Sequence, residues 1–187
     1  FGPLLSGDIA MNVYLALKQL PGTKIIDVQG LVRQVRKDNV VWQSNKDVRK
    51  ILSNFDIIKC DQAELNYITN STNHNKSIDQ LMQCGIEEII VTNGSHGSAI
   101  YSKSEGKFNI PSFKPDRFKD TTGCGDTFTA IYAYSRLRDY PIFEAGLLAS
   151  AGASLKIEHI GPLSTSIEHI KEKIEKHYKQ RSLQLIA

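Results

Sequence analysis

The stretch DTTGCGDTF, residues 120–128, sets two glycines and a carboxylate in a tight turn directly ahead of a run of good helix formers. Glycine lets the backbone adopt conformations closed to other residues and lets another group approach closely. A turn of this kind before a helix leaves several N–H groups unpaired, and with the positive end of the helix dipole behind them they form an anion site. Asp126 runs against that picture, because a carboxylate beside an anion site repels the anion. It is either a helix-start acid, stabilising the dipole by a few tenths to about 1 kcal/mol, or a base. In the second case it accepts the proton of a bound hydroxyl while the amides hold a transferring phosphoryl group.

Upstream of this stretch, short apolar runs alternate with helical patterns. A helix capped by Ser6 or Asp8 carries Ile9, Val13, Leu15 and Leu17 and stops at Pro21 and Gly22. TKIIDVQG (23–30) reads as a strand, NKDVRKILSNF (45–55) as helix, DIIKC (56–60) as a buried strand. DQAELNYIT (61–69) reads as a helix with Asp61 at the N-cap and Glu64 three residues on, a capping box. A helix around SIDQLMQCG (77–85), the strand EEIIVTN (87–93) and a hairpin of SAIYSK with KFNIPSF around Gly106 follow. The remainder is helical over about 126–138, 142–158 and 167–181, with Ile167, Ile170, Ile174 and Tyr178 on one face of the last. This alternation predicts an α/β fold, a mostly parallel sheet covered by helices on both faces, in one domain over residues 1–187. In such sheets ligands gather where strand ends meet helix starts, which singles out Asp27, Asp61 with Glu64, and Thr92 with Gly94 and Gly97.

The bulk composition excludes more than it selects. With 41% hydrophobic and 23% charged residues the chain is globular in type, and a formal charge of +3 is too small to indicate nucleic acid. The run KEKIEKHYKQR (171–181) mixes both signs, as a solvated helix face does. Cys60, Cys84 and Cys124 are odd in number and lack CxxC spacing, so neither a disulfide framework nor a zinc site is expected, and a reducing cytoplasm fits best. No apolar run approaches the length of a membrane span. The NST at Asn70 reads as a loop, His96 as a solvent-facing turn residue, and Trp42 and Tyr67 as core packing.

DTTGCGD resembles the DTTGAGD motif of the ribokinase-like, or PfkB, family of carbohydrate kinases, and the resemblance runs along the whole chain in order. VTNGSHG (91–97) is similar to that family's VTxGxxG, CDQAE (60–64) to its NxxE, DVQGLVR (27–33) to its D-P-N-x-R segment, and ASAGASLKIEHIGP (149–162) to its small-residue helix and following loop. The resemblance implies a Rossmann-like ribokinase fold and an ATP-dependent kinase acting on a sugar, polyol or nucleoside hydroxyl. By it, Asp126 is the general base and the amides of Gly123, Cys124 and Gly125 form the anion hole. Thr92, Gly94 and Gly97 line the ATP phosphates, Ser150 lies near the nucleotide base, Asp61 and Glu64 organise Mg²⁺ and its waters, and Asp27 and Arg33 lie near the substrate or the transferring phosphate. The implied cofactors are ATP and Mg²⁺, with a monovalent cation left open. The implied partners are small molecules, with no nucleic acid and no membrane.

Two positions depart from the family's pattern. Asp61 stands for the usual Asn and adds a negative charge beside the metal. Cys124 stands for the usual Ala, either as a tolerated small residue or as a thiol whose pKa the helix N-terminus lowers. The family's N-terminal strands and β lid have no counterpart here, so a further segment or a second copy is expected to cover the sheet edge. GPLLSGDI (2–9), DVQG and Arg33 together resemble inositol kinases, tilting the expected acceptor towards a polyol. A nucleotide-binding or regulatory protein of the same fold without turnover is the alternative. A dinucleotide-binding dehydrogenase fits poorly, since no GxGxxG follows an early strand.

Overall fold

The computed structural model describes residues 1–43 and 46–184, with the side chains of 180–184 left aside. By backbone contacts it divides into two compact units, Phe1–Asn93 with Ala99–Lys107, and Gly94–Ser98 with Phe108–Ala187. The first unit opens with α1 (Met11–Ala16), β1 (Ile25–Asp27) and α2 (Gln29–Val32). A hairpin of β2 (Arg33–Arg36) and β3 (Asn39–Trp42) and then α3 (Val48–Leu52) follow. It continues with β4 (Ile57–Asp61), α4 (Gln62–Thr69), α5 (His74–Met82) and β5 (Glu88–Thr92). After a 3₁₀ turn at Gly94–His96 come β6 (Ser98–Ser102) and β7 (Gly106–Ile110). The second unit holds α6 (Cys124–Leu137), α7 (Ile142–Ile157) and α8 (Ile167–Gln184).

The main sheet has the order β1-β4-β5-β6-β7. Its first three strands run parallel, Asp27 opposite Lys59 and Asp61 opposite Thr92. Parallel strands of this kind are buried on both faces and need crossovers, here supplied by helices. The links to β6 and β7 are too short for a crossover and turn the chain back on itself. Along the outer edge of β1 the Asp27 N–H donates to the Phe1 carbonyl at 2.9 Å. Ile26, Ile58, Ile89, Leu52 and Leu65, none of them exposed, centre the first unit's core. Phe113, Leu148, Ala151, Leu155 and Ile170 form the core of the second, where α6 packs on α7 and α7 on α8. Among the described residues no helix is long and apolar enough to cross a membrane.

Several local expectations change. The first helix has Ala10 at its N-cap and no side-chain cap, because the Asp8 carboxylate accepts instead from the N–H groups of Leu4 and Leu5, both at 2.9 Å. It buries Tyr14 and leaves Val13 and Leu15 exposed. The strand ends at Asp27, and residues 29–32 turn into helix. The start of the expected third-segment helix at Asn45 lies outside the described residues, and the helix itself is only Val48–Leu52. The β2–β3 hairpin was not expected. Its two-residue turn sits on Lys37 and Asp38, both at positive φ (46° and 63°), the mirror-image turn that matches strand twist but that usually announces itself with Asn-Gly. Trp42 and Tyr67 are not core residues. They are 44% and 38% exposed and pack against one another with ring centres 5.0 Å apart and planes tilted by 49°. In α8, Ile170 is buried and Ile167 and Ile174 pack beside it, whereas Tyr178 stays exposed.

Candidate functional site

In the first unit the candidate residues meet at the C-terminal ends of the parallel strands. Asp27 closes β1 and Lys59 lies opposite it on β4, so register alone brings them together. Lys59 Nζ donates to Asp27 Oδ2 at 2.7 Å with both side chains buried, and Asp27 Oδ1 accepts the Gln29 N–H at 3.1 Å. Burial pulls the Lys59 ammonium towards deprotonation, but the Asp27 carboxylate overrides it and the net shift is upward. β4 ends on Asp61, and α4 begins at the next residue with both halves of the expected capping box. The Glu64 N–H donates to Asp61 Oδ1 at 2.7 Å, and the Asp61 N–H donates to Glu64 Oε2 at 2.8 Å. The other Glu64 oxygen accepts from Arg33 Nη2 at 3.1 Å. Asp27 at the end of β1, Asp61 at the end of β4, Glu64 in the first turn of α4 and Arg33 at the start of β2 thus form one neighbourhood. Thr92, opposite Asp61, donates its hydroxyl to the Cys60 carbonyl at 3.3 Å.

Glu64 is 2% exposed, and burial raises its carboxyl above the ordinary range against the opposing pull of the Asp61 amide. Arg33 also faces it, but at 31% side-chain exposure that guanidinium is screened by water. Among the described residues no three His, Cys, Asp or Glu side chains gather closely enough to hold a metal unaided. Mg²⁺ is commonly held by one or two carboxylates together with substrate phosphates and waters. The donor set fits that mode, with Asp61 Oδ2 free of protein partners among the described residues and both Glu64 oxygens already engaged.

In the second unit Gly123 caps α6 at φ 79°, which explains the glycine. The Cys124 N–H donates to the Thr121 carbonyl at 3.2 Å and the Thr127 N–H to the Gly123 carbonyl at 2.9 Å. The amides of Gly123 and Gly125 have no acceptor among the described residues. Asp126, in the first turn of α6, is exposed and carries no ion pair among the described residues. Its Oδ2 comes within 4.0 Å of where a Gly123 Cβ would stand. Cys124 Sγ points at the Ala153 carbonyl, 3.7 Å away. Burial pushes that thiol up, the reverse of what a helix N-terminus alone would do.

Gly97, at φ 88°, lies so close to the chain that a Cβ there would strike the Ile110 carbonyl and the backbone of Pro111 and Ser112. Ser150, buried on α7, donates to the Pro111 carbonyl at 2.7 Å. Gly97 and Ser150 therefore converge on one segment, while Gly94, at φ 51°, and His96 are exposed in the 3₁₀ turn.

Two lysines escaped the sequence reading. Lys59 had a signal only in register, as a lone cation inside an apolar strand. Lys156, on the last turn of α7, is 2% exposed and donates to the His159 carbonyl at 3.0 Å, with Nζ 3.7 Å from Asp120 Oδ2. A lysine among alanines, serines and glycines was the available sign.

The profile of the pfkB family carbohydrate kinases matches residues 17–169. A nucleoside kinase of Methanocaldococcus jannaschii is 34% identical over 106 residues, 55% of this chain and 34% of that protein. A pyrophosphate-dependent myo-inositol-1 kinase, in a variant converted to a myo-inositol-3 kinase, superposes with a TM-score of 0.75 at 24% identity over 94% of this chain and 61% of that one. Arabidopsis thaliana ribokinase, complexed with ribose and ATP, gives 0.70 at 24% over 86% of this chain and 50% of that one. The chain thus spans about a third of the nucleoside kinase's length and half of the ribokinase's. Its mostly parallel sheet, its helices and the superpositions make the fold ribokinase-like, and by the match over most of its length the chain belongs to the pfkB family of carbohydrate kinases.

Proposed function

We propose that the protein transfers a phosphoryl group from ATP to a hydroxyl of a sugar, polyol or nucleoside. The observation that carries this reading is the pairing at the start of α6: an exposed carboxylate, Asp126, beside the amides of Gly123 and Gly125, none of which has an ion-pair or acceptor partner among the described residues. Asp126 takes the acceptor's proton as the oxygen attacks phosphorus, and the turn's amides, backed by the helix dipole, stabilise the charge on the transferring group. Arg33, whose planar fork suits phosphate, is held by buried Glu64 and contributes at the acceptor or the phosphoryl group. Lys59 and the Gln29 N–H fix the Asp27 carboxylate at the end of β1, where it contributes to the acceptor side of the site. Gly97 and Ser150 shape the Pro111 segment against which the nucleotide lies. When bound, Mg²⁺ neutralises phosphate charge, and Asp61 with Glu64 would hold its waters. Relatives named for nucleosides, inositol and ribose support the breadth of acceptor classes.

The test is ADP release in a coupled assay over a panel of sugars, inositols and nucleosides, with phosphate release from pyrophosphate run alongside. Asp126→Asn is expected to slow kcat on the order of 10²–10⁴ with an unchanged melting temperature. An undiminished rate overturns the base assignment. One observation favours binding without turnover: both Glu64 oxygens are already engaged by the protein. That reading predicts a melting shift with ATP and Mg²⁺ but no product.

A further inference from the structure

Two carboxylates flank the glycine turn, and among the described residues only Asp120 has a cationic partner. Asp120, the first residue of the motif, gives Oδ1 to the Thr122 N–H at 2.9 Å and faces Lys156 with Oδ2 at 3.7 Å. Its own N–H and that of Lys119 donate to the Ile157 carbonyl at 3.1 and 2.9 Å, so the turn is stitched to the end of α7. The Lys156 side chain is 3% exposed, and its Cε lies 3.8 Å from where a Gly123 Cβ would stand. Its ammonium sits between a carboxylate oxygen and the His159 carbonyl. Carbonyl and carboxylate oxygens are also the donors that replace the water shell of an alkali ion. An ammonium fixed there offsets Asp120 without touching Asp126, and leaves the turn attractive to a phosphoryl group.

We propose that Lys156 serves the glycine turn as a built-in monovalent cation, its ammonium filling the oxygen pocket of Asp120 and His159. It is a positioning residue, because it acts through Asp120 on the shape and charge of the turn. The proposal rests on the kinase reading above for its catalytic consequence, but not for the occupancy of the pocket.

The experiment measures turnover and melting temperature in choline chloride, NaCl, KCl and NH₄Cl at constant ionic strength. The wild type is expected to be indifferent to the cation in both. Lys156→Ala removes the ammonium and opens space. In choline chloride its kcat should fall at least about tenfold, KCl or NH₄Cl should restore much of the loss, and its melting temperature should rise in the same salts. Lys156→Met fills the stem without charge, and should stay slow in every salt. Potassium activation of the wild type overturns the proposal, as does a Lys156→Ala enzyme as fast as wild type in choline chloride or equally slow and equally stable in all four salts. If wild type turns over nothing in the panel, the kinase reading falls, while the melting response of Lys156→Ala still decides the pocket. Should Lys156→Ala fail to fold, the wild type's indifference or response to potassium decides it.

Discussion

At Glu64 a carboxylate has been taken out of water for the sake of two contacts, Arg33 on one oxygen and the Asp61 amide on the other. Burial outweighs the amide, so the folded pKa stands above that of an unfolded glutamate, about 4.3. A raised carboxyl contributes stability while it is protonated, below the unfolded value, and that contribution is lost as pH rises through the folded value. Glu64→Gln keeps the volume and removes the titration. The wild type should therefore lose ground against Glu64→Gln in melting temperature as pH is raised from about 4 towards neutrality. A wild type that gains ground instead would mean that Arg33, not burial, governs this carboxyl. At the same scale Asp27 and Asp61 were readable as strand-end acids, whereas the partner of Asp27 was not, because Lys59 is thirty-two residues away and only strand register joins them.

The α4 helix shows how one residue serves an element and a site together. Asp61 caps it with the Glu64 N–H, and Asn caps about as well as Asp. Asp61→Ala should destabilise the protein by about 1 kcal/mol in urea unfolding. Asp61→Asn should leave stability nearly unchanged while removing a negative charge, and under the proposed kinase reading that loss is read as a lower apparent KM for ATP. A large stability loss in Asp61→Asn would show that the charge, not the cap, holds the helix. The capping box was legible because it is written within four residues. The β2–β3 hairpin was not, since Lys37 and Asp38 carry none of the usual chemistry of a mirror-image turn and the strands Arg33–Arg36 and Asn39–Trp42 present Val35, Val40 and Trp42 outward.

Over the whole molecule two apolar clusters account for much of the buried core, and they share no residue. Leu65→Ala in the first and Leu155→Ala in the second should each cost about 2–5 kcal/mol, and the double variant should add to within about 0.5 kcal/mol. Amide exchange should quicken first in the unit whose core was cut, and equal quickening in both would refute the division. The sequence by itself determined the α/β class, the order of strands and helices after residue 56, the capping box and the glycine turn with its carboxylate, because each is encoded by neighbours in the chain. Only the tertiary structure decided the ion pair of Lys59 with Asp27, the hold of Arg33 on Glu64, the exposure of Trp42 and Tyr67, and the lysine behind Asp120. Each of these depends on register, burial or a distant segment's arrival, and charge compensation in a low-dielectric interior is settled by what lies across space, which local pattern does not specify.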